Sequence, residues 1–125
     1  MILGLGIDVI SVTRVSRALA TFGERFEERV FTDAERHDCA KRLDRDQALA
    51  ARFAAKEACL KALGTGWRKG FALRHVEVVR GAGGAPTLRL SGRVAEQAQS
   101  LGVHRLHVSL THDDDVAAAA VVLEA

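Results

Sequence analysis

The chain has 125 residues, a length that fits one domain spanning 1–125 and excludes a modular assembly. Hydrophobic residues make up 48% and charged residues 27%, which excludes a disordered chain. Aromatics are only 5%, with no Tyr, so the core is aliphatic and few rings remain for stacking bases; with a net charge of +2, this argues against nucleic-acid binding.

Ile2 to Val9 reads as a buried strand, with Leu3, Leu5, Ile7 and Val9 on one face and Gly4, Gly6 and Asp8 on the other. Two glycines on one strand face mean that another element packs very close there, and Asp8 stands at the end of that face. A helix follows from Ser11 or Thr13 to about Phe26, with Val15, Leu19, Phe22 and Phe26 as its apolar stripe and Arg14, Arg17 and Arg25 elsewhere on it. Thr32 with Glu35 forms a capping-box pattern that opens a short second helix. Leu43–Arg45 is a polar break.

Asp46 to Leu63 is the most regular segment, ended by Gly64-Thr65-Gly66. At 3.6 residues per turn, Leu49, Phe53, Leu60 and Leu63 share one stripe, and Ala50, Ala54, Glu57 and Lys61 share its neighbour. Arg52 and Lys56 fall on the other flank. His75–Arg80 and Thr87–Leu90 read as two strands around a glycine-rich turn, Arg93–Leu101 as a helix, Arg105–Thr111 as a strand with Leu106, Val108 and Leu110 inward, and Val116–Leu123 as a last buried strand. The resulting order, β-α-α-α-β-β-α-β-β, is α+β.

Fourteen of the 18 basic residues are Arg, the side chain whose planar fork matches phosphate. Between Arg36 and Lys69 there are nine basic residues against four acidic, a candidate polyanion site. Cys39 and Cys59 lack a Cys-x-x-Cys spacing, no apolar run reaches the ~18 residues that span a bilayer, and no basic leader precedes the first strand; these predict a reducing, cytoplasmic setting with no membrane. Two carboxylates on adjacent elements, Asp8 and Glu57, suit a hard divalent cation such as Mg²⁺. Taken alone, separate structural roles and a surface Glu57–Lys61 ion pair are the simpler account.

Three segments together resemble the bacterial holo-[acyl-carrier-protein] synthase family, the small 4′-phosphopantetheinyl transferases. They are Gly4-Leu5-Gly6-Ile7-Asp8 with Arg14 beyond it, Arg52-Phe53-Ala54-Ala55-Lys56-Glu57-Ala58 continuing to Lys61-Ala62-Leu63-Gly64-Thr65-Gly66, and His107-Val108-Ser109-Leu110-Thr111-His112. The resemblance runs from Met1 to the C-terminus and implies a 4′-phosphopantetheinyl transferase-like fold. It implies transfer of the phosphopantetheine arm of coenzyme A, the substrate, to a serine of an acyl carrier protein, with release of adenosine 3′,5′-bisphosphate. It also implies Mg²⁺ on Asp8 and Glu57, and a homotrimer with active sites between subunits.

On this resemblance, Glu57 and Lys61 carry the chemistry, with Lys61 reaching the phosphates. Gly64, Thr65 and Gly66 offer backbone N–H groups to the coenzyme, and Arg52, His107 and Thr111 surround its 3′-phosphate. The base for the carrier serine is Glu57 through a metal-bound water, or His112, or Asp113. Acyl carrier proteins are acidic, so Arg14, with Arg17 and Arg25 from helix geometry, forms the expected docking face. A non-catalytic module that binds carrier protein or nucleotide is the competing reading.

Overall fold

The computed structural model describes residues 1–66, 68 and 70–125. The elements run β1 (Ile2–Ser11), α1 (Val12–Phe22), α2 (Glu24–Val30), α3 (Asp33–Ala40), α4 (Arg45–Leu63), β2 (Val76–Arg80), β3 (Pro86–Leu90), α5 (Gly92–Leu101), β4 (Arg105–Asp113) and β5 (Val116–Glu124), an α+β order. Lys69, counted in the basic segment, lies outside the described residues. The first predicted helix is two helices: Gly23, at φ 57°, ends α1 and starts α2. Arg25 therefore sits on α2, and Phe22 is exposed instead of sharing the buried stripe.

β1, β5 and β4 form an antiparallel sheet in that order, while β2 and β3 pair as a separate hairpin. Helix α4 packs on the inner face of the three-stranded sheet, against β1 and β5. Six alanines between Ala50 and Ala62 are buried along it, which brings its backbone close to its neighbours. The face of β1 turned to α4 is the glycine face. A Cβ at Gly4 would overlap the carbonyl oxygen of Ala62, and one at Gly6 that of Ala58.

The close packing expected on the glycine face is present, but β1 is not buried on both sides: Leu5, Ile7 and Val9 point away from α4 and are 69%, 64% and 64% exposed. Alternation fixes which residues share a face, and the close helix contact decides which face is inside. Gly6→Ala is therefore expected to push strand and helix apart, with a loss of about 3 kcal/mol or more in denaturant unfolding. An unchanged midpoint would show that the contact is looser than described.

Behind α4, Lys56 is fully buried and its Nζ donates to Glu35 Oε1 at 2.6 Å and to the carbonyls of Leu73 and Val76. Glu35 completes the predicted capping box with Thr32 and also accepts from the Val78 amide at 2.9 Å. One ion pair thus joins α3, α4 and β2. Among the described residues no helix is long and apolar enough to cross a membrane.

Candidate active site

The inward glycine face of β1 leads to Asp8, whose side chain is almost wholly buried beside α4. Lys61 reaches across from α4, and its Nζ lies 3.0 Å from Asp8 Oδ1 and 3.0 Å from the Ile7 carbonyl. The i, i+4 pairing of Glu57 with Lys61 is absent among the ion pairs of the described residues; Lys61 pairs with Asp8 instead. Asp8 Oδ2 is buried with no hydrogen-bond partner.

Burial, and then the negative charge of Asp8, push the Glu57 carboxyl up to about 7. Two carboxylates with hard oxygen donors, one oxygen of Asp8 orphaned, repel each other, and the charges of Lys61 and Arg14 offset that only in part. No cluster of three or more His, Cys, Asp or Glu completes a metal cage among the described residues. This donor set fits Mg²⁺, which takes one or two protein carboxylates and fills its remaining positions with phosphate oxygens and water.

The same repulsion predicts a pH signature for the metal-free protein. A carboxyl raised in the folded state holds its extra proton between the ordinary glutamate range and about 7, so its unfavourable contribution grows as pH rises through that window. Glu57→Gln is expected to raise the melting temperature by a few degrees at pH 8 and to leave it nearly unchanged at pH 4.5. Equal melting of both proteins at pH 8 would contradict the strained carboxylate pair.

Asp8 and Glu57 open into a cleft of about 420 Å³ that is also lined by Arg14, Phe26 and Phe53. Arg14 and Arg17 on α1 and Arg25 on α2 are all exposed, and only Arg14 lines this cleft. The cleft therefore presents a cation and two aromatic rings beside two carboxylates.

A second cavity, of about 190 Å³, lies where the start of α4 meets the ends of β2 and β4. Arg42, Arg52, Arg80, Thr111 and His112 line it. Arg52 is only 4% exposed, donates one long bond to the Ala48 carbonyl, and leaves its Nε without a partner. A buried guanidinium with an unused donor, facing a cavity with two further arginines, is built for an anion.

Of the residues expected around the 3′-phosphate, Arg52 and Thr111 meet here and His107 does not. His107 lies on the outer face of β4, exposed, with Nε2 2.6 Å from Glu124 Oε1. The histidine of this cavity is His112, five positions further along β4 and therefore on its opposite face. Arg42 was indicated only by the basic excess of the segment from Arg36 to Lys69, and Arg80, which lies beyond that segment, carried no sequence signal.

The Gly64–Gly66 turn also differs from expectation. Its three amide N–H groups point back to the Leu60 and Lys61 carbonyls and close α4, with Gly64 and Gly66 at positive φ. These donors are engaged by the helix end and are not free for a coenzyme. What the turn offers is space, since a Cβ at Gly64 or Gly66 would meet nothing within 4 Å.

Cross-strand rows run over the outer sheet face: Leu5–Val122–His107, Ile7–Ala120–Ser109 and Val9–Ala118–Thr111. Six of these nine residues are apolar and turned away from the core, a contiguous patch of the kind that marks an interface.

Residues 4–121 match the 4′-phosphopantetheinyl transferase superfamily. A holo-[acyl-carrier-protein] synthase of Anaeromyxobacter dehalogenans is 54% identical over 127 residues, covering 99% of this chain and 97% of that protein. The crystal structure of the Neisseria meningitidis holo-[acyl-carrier-protein] synthase superposes with a TM-score of 0.90 at 33% identity, covering all of both chains. The Helicobacter pylori enzyme, solved in complex with coenzyme A, superposes at 0.84 with 30% identity, covering 96% of this chain and 99% of that one.

Proposed function

The chain belongs to the 4′-phosphopantetheinyl transferase superfamily, and we propose that it acts as a holo-[acyl-carrier-protein] synthase, transferring the 4′-phosphopantetheine arm of coenzyme A to a serine of an apo acyl carrier protein. The observation that carries this reading is the pair Asp8 and Glu57, one oxygen orphaned and Lys61 alongside, at the base of an open cleft. In that reading Asp8 and Glu57 would hold Mg²⁺. Held there, the ion would supply neutralisation of the pyrophosphate charge.

Lys61 is placed to exchange its contact with Asp8 for the leaving phosphates. Transfer then forms a bond between the serine oxygen and the arm's phosphorus as the bond to adenosine 3′,5′-bisphosphate breaks; the serine proton passes to a base, Glu57 through a water or else His112 or Asp113, and Lys61 stabilises the charge that departs. The cavity of Arg42, Arg52, Arg80 and His112 takes the 3′-phosphate of the coenzyme, because its cations surround a space of phosphate scale and one guanidinium donor is unused. Arg14 at the cleft edge, with Arg17 and Arg25 beyond, draws in the acidic carrier protein, chiefly by raising the encounter rate.

The working form in this proposal is a homotrimer whose outer sheet faces cover one another, with active sites between subunits. Two observations favour a shared site. The apolar rows on β1 and β5 are uncovered in a single chain. Arg52 and Glu57, five positions apart on α4, face directions about 140° apart, so the phosphate cavity and the carboxylates of one chain diverge. The setting is the cytoplasm, where the unpaired Cys39 and Cys59 stay reduced.

Apo carrier protein incubated with coenzyme A and Mg²⁺ tests this reading by intact mass, with the nucleotide product identified by chromatography. The expected result is a carrier heavier by one phosphopantetheine, together with adenosine 3′,5′-bisphosphate, and neither when Mg²⁺ is chelated. Binding of carrier or coenzyme without mass gain would make the chain a non-catalytic module.

A further inference from the structure

Asp44 occupies the N-cap position of α4, where an aspartate ordinarily accepts a hydrogen bond from the first helical turn, yet its side chain makes no capping bond. Its carboxylate turns outward instead. Arg42 Nε and one terminal nitrogen donate to its two oxygens at 2.7 and 2.9 Å, a bidentate fork, and His112 Nε2 lies 3.3 Å from Oδ2. Arg42 comes from the α3–α4 turn and His112 from the end of β4, and both line the basic cavity. The hydrogen bonds from Arg42 hold the Asp44 carboxyl down at about 2, so it remains an anion at any working pH.

We propose that Asp44 is a positioning residue for the coenzyme's 3′-phosphate, fixing Arg42 and His112 on either side of the cavity so that their remaining donors converge on the phosphate. The proposal rests on the transfer reading above and deepens it by naming what sets discrimination between a 3′-phosphorylated coenzyme and one that lacks the phosphate. The guanidinium supports the geometry. It has five N–H donors in a rigid plane; Asp44 engages the Nε edge, and the Nη1 edge stays available for a ligand. The diversion of an N-cap side chain weakens the helix start, and the ion pair it makes is one-third exposed, where such pairs add little stability. A site requirement accounts for that arrangement better than a folding one.

The test measures the affinity of the native protein for coenzyme A and for dephospho-coenzyme A by calorimetry, in the wild type and in Asp44→Asn, a near-isosteric change. The expected result is a Kd for coenzyme A weakened about five- to tenfold in Asp44→Asn, with the Kd for dephospho-coenzyme A unmoved, so that the preference for the phosphate shrinks. A purely structural role would weaken both coenzymes together, and that outcome would overturn the proposal. Tighter binding of coenzyme A by Asp44→Asn would also overturn it, making the carboxylate a competitor of the phosphate. Equal binding of the two coenzymes by the wild type removes the phosphate site itself, and with it that part of the transfer reading. A wild-type preference that Asp44→Asn leaves intact overturns the role of Asp44 alone.

Discussion

Glu57→Ala, or Asp8→Ala, is expected to lower transfer of the phosphopantetheine arm by about a thousandfold or more, into the background of the intact-mass assay. Catalysis of this kind is almost all positioning and charge neutralisation, so removing one of two carboxylates removes most of what the site supplies. The two variants are also expected to fold. Each deletes one member of a pair of like charges, so the melting temperature of the metal-free protein should hold or rise for Glu57→Ala; Asp8→Ala also gives up the contact with the half-exposed Lys61, a small loss that leaves its melting nearly unchanged. Loss of transfer with unchanged melting separates a catalytic role from a structural one. Full activity in either variant would sink the assignment of these carboxylates.

Lys56→Ala is the change expected to harm the fold most, by about 3 to 5 kcal/mol in denaturant unfolding, because it leaves the carboxylate of Glu35 buried and uncompensated. The loss does not end with the charge. The Leu73 and Val76 carbonyls also lose their donor, and α3, α4 and β2 lose their common tie. Lys56→Met with Glu35→Leu is expected to recover only part of the loss. The double variant removes the stranded charge and restores packing, but the Val78 amide loses its acceptor. A stability drop below 1 kcal/mol for Lys56→Ala would show that water reaches the pair and that the tie is weak.

Parts of the site were legible because they depend on local spacing. A Gly-x-Gly-x-Asp strand announces close packing and an aspartate at its end, and α4 carries Glu57 and Lys61 one turn apart beside a pair of alanines. The capping box at Thr32 and Glu35 formed as its four-residue pattern predicts. The exposure of the apolar face of β1 was not legible, because a two-residue period says which residues share a face and not whether another element covers it. The strand reads as buried, yet only the glycine face, which a helix backbone can approach, is covered.

The rest depends on contacts between distant parts of the chain. Arg42, Arg52, Arg80 and His112 span 70 positions, and only the packing of a turn, a helix and two strand ends brings them to one cavity. His107 and His112 lie five positions apart, so alternation puts them on opposite faces of β4, but it does not show that one meets Glu124 and the other the arginines. Lys56 looks like a flank residue on a helical wheel, since its partner Glu35 is 21 residues away and a wheel carries no information about neighbours. Gly23 marks a different failure: a glycine within an otherwise helical pattern is a cue to a break, and the apolar spacing on both sides masked it.

On the transfer reading Asp8 and Glu57 form one divalent-cation site used with coenzyme A. Titration with Mn²⁺, read by electron paramagnetic resonance in the presence of coenzyme A, tests it in the wild type, Asp8→Ala and Glu57→Ala. One bound ion per chain is expected in the wild type, displaced by Mg²⁺, with a large loss of that binding in both variants. Undiminished Mn²⁺ binding in either variant would contradict it.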